Sequence, residues 1–398
     1  MRSTVAVTFE IDDLDLAAAE LIGGIDPSLM QAEQVCGIVF CYSDMDQAEL
    51  LERLRSRFPY PLLGCSCIAN MDEREGFHEL AATLTVLSAD DCRFATAVSG
   101  PITPENVRQE VGDTYAAAAA GETPGLVIAF PPYNLNIMLD AFTNAFNEVA
   151  PGVPVLGGLP SYSGRDDRNM TYHDGTAAED RLVLLAITGN IRPVFSLQNV
   201  SGSPVERKRK VTRAKDNVVY TVGNQTFVEY LQELGLPLNA MTEGNATITF
   251  VSNPLLLENV KIDGESSYSF VRTLHKIDPA DGSGTAIGGI PVDATLSICT
   301  LQTEHIQSVA RAGMNELARR MEDNRGYVYS TVLAISCIGR YLLLVPDNGA
   351  EVANLLRELP AGVSLSGFYS YGEISPITGA GGKLVNFAHN ESLVLCAF

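Results

Sequence analysis

The sequence predicts an α/β protein of two lobes, each of mixed β-sheets with helices packed on their outer faces, built from repeated strand-helix-strand units. Three observations predict it. One order of elements recurs three times along the chain. Helical spacing of apolar residues separates the strands in each recurrence. A length of 398 residues exceeds one ordinary domain and suits two or three, each able to bury a core.

The first unit runs CGIVFCYS (36–43), a helical stretch from Asp46 to Phe58, PLLGCSC (61–67) and GFHELAATLTVL (76–87). The second runs LVIAFPP (126–132), a helical stretch near Asn136 to Val149, PVLGGLPSYSG (154–164), TYHDG and RLVLLAI (181–187). The third runs VLAISCIGR (332–340), a helical stretch near Asn348 to Leu359, SLSGFYSYGEI (364–374) and NFAHNESLVLCAF (386–398). Leu139, Phe142, Phe146 and Val149 recur at helical steps, as do Val352, Leu355, Leu356 and Leu359. Asn348 with Glu351 predicts a capping box. Strands joined through a helix are expected parallel, with their loops at one sheet edge where ligands bind. His78, His173 and His389 are expected at equivalent places ahead of the closing strands.

Different material separates the second and third units. ERKRKVTRAK (206–215) is a basic run expected on the surface or paired within the chain. DNVVYTVG predicts a hairpin. TFVEYLQELGLP (226–237) predicts a helix capped by Thr226 and Glu229 and stopped at Gly235. SYSFVRTLHKID and GGIPVDATLSICTL predict strands, and residues 303–321 a long helix burying Ile306, Val309, Leu317 and Met321. A boundary near residue 222 would separate a lobe 1–222 with two units from a lobe 223–398 with the third unit and the insertion.

A charge of −21 argues against nucleic acid and anionic membranes as partners. The N-terminus alternates apolar residues and then carries Asp12, Asp13 and Asp15, unlike a secretory leader. No run reaches the roughly 18 apolar residues of a membrane span. Sparse cysteines within apolar strands predict small core residues of a reduced, cytoplasmic protein. Cys65 and Cys67 lack a second pair at zinc spacing, so no metal is expected.

SCIGR (336–340), GFYSYGEISP (367–376) and NFAHNESLVL (386–395), in that order, resemble the C-terminal half of the FIST (F-box and intracellular signal transduction) sensory family. LLGCSC (62–67) and VLGGLP through TYHDG resemble its N-terminal half, and residues 211–236 its connecting region. Leu159-Pro160-Ser161-Tyr162 stands where the family commonly carries an aspartate, and Asp166 and Asp167 come only later. The resemblance implies a sensory module that binds small molecules such as amino acids, lobes 1–222 and 223–398 being its two halves. Without room for an output domain, the chain would signal through a separate partner protein.

The residue types predict a polar ligand site. Arg340, directly after an apolar strand, is expected to hold a carboxylate by paired hydrogen bonds, or else to bridge to Glu373. Glu373 would meet an ammonium, Ser370 and Ser66 offer hydroxyls, and of Tyr371 and Tyr369, which point to opposite sides of an extended stretch, one is expected to face the ligand. His389 between Asn386 and Asn390 is expected as a lining donor, and His173, Cys337 and Cys65 complete the set. An enzyme would need Cys65 or Cys337, or Glu373, to work with His389, yet no nucleophile elbow, Walker loop or HExxH is present. Some relatives in the family bind haem as nitric oxide sensors, so a histidine-ligated haem is a further implied reading.

Overall fold

The computed structural model describes the chain except residues 164–167, 200–202, 205–206, 239–242, 263, 265–266 and 380–381. Asp166, Asp167 and the first residue of the basic run, Glu206, thus lie outside the described residues.

The three units fold alike. In each, a central strand (Gln34–Tyr42, Leu126–Phe130, Thr331–Cys337) leads through a helix (Gln47–Arg57, Leu139–Val149, Ala350–Glu358) to a second strand (Leu62–Cys67, Val155–Gly158, Ser364–Ser370). The second strand lies parallel beside the central one in all three, as expected of a strand-helix-strand crossover. A hairpin follows (residues 70–78, 171–178, 373–389), then a closing strand (Ala82–Ala89, Val183–Gly189, Ser392–Ala397) antiparallel to the central one. A leading strand (Arg2–Thr8, Cys92–Val98, Val194–Asn199) pairs outside each closing strand.

The hairpins do not stay with their own units. Residues 70–78 pair with the second strand of the third unit, 171–178 with that of the first, and 373–389 with that of the second. Every one of these six-stranded sheets therefore holds strands of two units. Their inner faces enclose a shared core in which Phe40, Phe130 and Phe368, one from each unit, meet at centroid distances of 4.6 to 6.0 Å. Helices cover the outer faces through a separate apolar layer for each unit. All eight cysteines are buried and unbonded, with Cys36, Cys65, Cys67 and Cys396 in the shared core.

One residue position recurs for a steric reason. Gly64, Gly157 and Gly367 each face the central strand, beside Val39, Ala129 and Ala334. A Cβ on any of them would run into the carbonyl oxygen of that neighbour.

The insertion forms a fourth sheet around the hairpin Arg209–Lys215 and Val218–Val222, with Leu255–Lys261, Ser267–Arg272, Leu274–Asp278, Ser283–Ala286 and Thr295–Thr300. Arg207 and Arg209 of the basic run bind Glu233 at 3.1 and 2.9 Å, and Lys208 binds Glu258 at 2.6 Å, so these cations are paired within the chain. Three of the four sheets draw strands from both sides of residue 222.

The helix Phe227–Glu233 carries the expected capping box: the Thr226 hydroxyl accepts from the Glu229 amide, and the Glu229 carboxylate accepts from the Thr226 amide at 2.8 Å. Thr226→Ala is expected to cost about 1 kcal/mol in a urea titration, mostly by orphaning the Glu229 amide. The helix Ala350–Glu358 lacks the capping box that its sequence suggests. Asn348 donates instead to Glu79, and Glu351 turns inward. The long helix Thr303–Asp323 buries Ile306, Ala310, Met314, Leu317 and Met321, leaving Val309 half-buried. No helix among the described residues is long and apolar enough to cross a membrane.

Candidate functional site

The strand Thr331–Cys337 stops before Arg340, which sits in a short helix, Ile338–Leu344. Its guanidinium does not reach over the sheet edge. Arg340 is fully buried and donates twice to Oε1 of Glu351, the Nε bond measuring 2.8 Å, while Ser336 Oγ donates to Oε2 at 2.7 Å. The expected Arg340–Glu373 bridge is therefore replaced by Arg340–Glu351, because the helix turn carries the side chain outward from the shared core.

Glu373 is also fully buried, accepting from Ser392 Oγ at 2.6 Å. Burial holds its carboxyl well above the usual range, and the nearby Glu391 adds to the rise. Several other predicted residues hold the architecture together. Ser370 Oγ donates to Leu159 and Gly372 carbonyls, and Ser66 Oγ accepts from the Met170 amide. Asn386 clamps the third hairpin to the second unit through Val155 N at 2.8 Å and Val153 O at 2.9 Å. Tyr369 lies in the outer apolar layer against Phe77 and Tyr341, and Cys65 lies in the shared core.

His173 does not occupy the place of the other two histidines. Glu373 pairs with His389 across its hairpin and Asn70 with His78, whereas the matching partner of Thr171 is Ala178. His173 sits on the opposite strand of its hairpin, beside Asp174 at 3.9 Å. His78 is bound to Asp72, a local packing role.

Four of the predicted residues do come together: Tyr371, His389, Asn390 and Cys337. They line two adjoining hollows of about 330 and 410 Å3 at the loop ends of the sheets. Tyr133, Tyr371, Asn390, His275 and Ile287 border both. The larger hollow draws Ile68 from the first unit, Tyr162 and Ser163 from the second, Cys337 and Glu391 from the third, and Phe250 and Thr273 from the insertion, which roofs it. The rings of Tyr133 and Tyr162 stand 4.9 and 5.5 Å from that of Tyr371, forming an aromatic shelf.

Polar chemistry around this cleft is unusual in one respect. Arg272 is buried between the rings of Phe270 and Phe387, and binds Asp140 Oδ1 at 3.1 Å and the carbonyl oxygen of Ala388 at 3.0 Å. Asp140 Oδ2 has no hydrogen-bond partner among the described residues. His389 Nε2 lies 3.3 Å from the Ser375 carbonyl oxygen, so it carries the ring proton and leaves Nδ1, which has no partner among the described residues, as an acceptor. Burial, with Arg272 nearby, pulls the His389 pKa down to about 3, keeping the ring neutral. Asn390 Oδ1 is likewise buried and unpartnered among the described residues.

Glu391 completes the set. Its Oε1 accepts from Thr273 Oγ1 at 2.8 Å, its Oε2 has no partner among the described residues, and its backbone is left-handed at φ +52°, a strained state for glutamate. Burial pushes its pKa up to about 7, against the pull of Arg340. Burial also raises the Cys337 thiol well above its usual range, with Glu373 and Glu391 adding to the effect.

Comparison with family profiles matches residues 36–225 to the FIST N domain and residues 227–376 to the FIST C domain. The chain belongs to the FIST family. A comparison with curated proteins returns no match. Among solved structures, this FIST chain is similar to a chorismatase, at 8% identity and a TM-score of 0.36 over 100% of this chain and 98% of the other. It is also similar to a cyanuric acid hydrolase from A. caulinodans, at 10% identity and a TM-score of 0.34 over 99% and 98%.

Reading the FIST motifs alone misses Glu391, Arg272, Asp140, Tyr133 and Tyr162. Glu391 directly follows the quoted Asn390, and a charged residue between two apolar strands was the available signal. Tyr133 and Tyr162 each follow a strand end in a proline-bearing loop, PPY and PSY, matching the aromatic loop of the third unit.

Proposed function

We propose that this FIST chain is a cytosolic sensory protein that binds a small polar metabolite bearing an amino group in the cleft and passes the signal to a partner protein. The observation that carries this reading is a set of buried polar atoms, on residues that line the cleft, without a protein partner among the described residues. Asp140 Oδ2, His389 Nδ1, Asn390 Oδ1 and Glu391 Oε2 are all acceptors. Buried acceptors left unmatched cost stability unless something donates to them. A bound N–H group removes that cost, and the tyrosine shelf offers faces to the rest of the ligand. An amino acid supplies such a group. Arg340 cannot serve as its carboxylate anchor, since Glu351 holds it outside the cleft lining.

Catalysis draws less support. Both Cys65 and Cys337 are held toward the protonated thiol, opposite to what a nucleophile needs. Glu373 lines neither hollow.

Thermal shift against a panel of amino acids and amines tests the proposal. At least one member should raise the melting temperature, and Tyr371→Ala should weaken that member about tenfold through loss of the shelf. A panel without any shift would defeat the reading.

A further inference from the structure

We infer that the ligand is a linear diamine or oligoamine, with one ammonium seated at Asp140 and His389, another at Glu391, and the chain between them crossing Asn390 and the faces of Tyr133 and Tyr371. This rests on the small-molecule reading above and goes further, to the chemical class of the ligand.

The placement of acceptors makes the case. Asp140 and His389 line only the smaller hollow, Glu391 only the larger, and Asn390 stands on the wall common to both. Among the described residues, the cleft thus has a carboxylate oxygen without a partner toward each end and an aromatic middle. No buried donor of the lining is left without a partner among the described residues. Arg272, the buried cation of the lining, has its N–H groups engaged by Asp140 and by the carbonyls of Gly289, Val271 and Ala388. Lys276 and His275 also line the smaller hollow but are exposed; along the buried wall a ligand carboxylate would find acceptors where it needs donors. Ammonium groups find four, and the methylene chain between them fits against tyrosine rings. The overall charge of −21 favours approach of a polycation.

Calorimetry on the whole chain provides the test, with α,ω-diamines of graded chain length, a triamine, n-alkylamines, α-amino acids and simple ureas as probes. One diamine length should bind best, at least tenfold more tightly than the matching monoamine. Glu391→Gln and Asp140→Asn should each weaken it at least tenfold, and Glu391→Gln keeps the shape of the side chain.

A proton-linked readout separates contact from mere packing. The charged and titratable groups that act on Glu391 are Arg340 and Cys337 on the adjoining helix and strand end and Glu373 on the hairpin, and His275 of the insertion lines the same hollow. Protonation of Glu391 removes the acceptor charge, so diamine affinity should fall as the pH drops from 8 to 6, and Glu391→Gln should flatten that fall.

Binding of amino acids or ureas with no amine binding would overturn the amine class and leave the small-molecule site standing. Equal diamine affinity in wild type and both variants would overturn the seating. Silence from every probe would bring down the inference and the proposed function together.

Discussion

Arg340→Ala is expected to lower the unfolding free energy by about 3–5 kcal/mol, the typical cost of removing one partner from a buried ion pair. Both side chains of the Arg340–Glu351 pair are wholly inaccessible to water. Alanine would leave the Glu351 carboxylate with the Ser336 hydroxyl as its remaining donor, in a region closed by Tyr369 and Tyr341. Replacing both partners, Arg340→Met with Glu351→Met, should recover most of the loss, because no orphaned charge then remains. Urea titration of the three proteins checks this. A destabilisation below about 1 kcal/mol in the single variant would show that the pair is more hydrated than its burial indicates.

Gly367→Ala is expected to cost about 3 kcal/mol or more, with Gly157→Ala close behind. The added methyl has no rotamer to escape through, and the atom it meets is backbone, the carbonyl oxygen of Ala334 or Ala129 on a central strand. Relief requires the parallel pair to separate, which breaks ladder hydrogen bonds in the middle of a sheet. Gly152, at a turn with open space around it, is the control for alanine as such; its positive φ alone should produce a smaller loss. Denaturation midpoints of the three variants give the comparison. Near-equal losses at Gly152 and Gly367 would mean that backbone conformation, and not close approach, governs these glycines.

Much of this architecture was legible from the order of its pieces. Strand, crossover helix, glycine-bearing second strand and closing strand are local patterns, and each of the three units realises them with parallel central pairs. The destination of the hairpins was not legible. Residues 70–72 pair with residues 366–368, and nothing in either segment announces so distant a neighbour.

The candidate site divides along the same line. Tyr371 and Asn390 were readable because they sit in loops after strands, where the sheet edge gathers functional groups. Arg340 was misplaced because SCIGR reads as continuous strand, while the chain turns helical after Cys337 and aims the guanidinium at Glu351. Arg272 and Asp140, separated by over a hundred positions, meet only because the insertion folds over the loops of the second unit.

The passing of each hairpin to a neighbouring unit gives the molecule the logic of a three-legged trestle whose braces all run sideways. Excising any one third would strip a rung from a second third and deny a seat to the rung of the remaining one. The smallest piece able to stand is therefore the whole ring, and its cleft is a property of that closure and of no fragment.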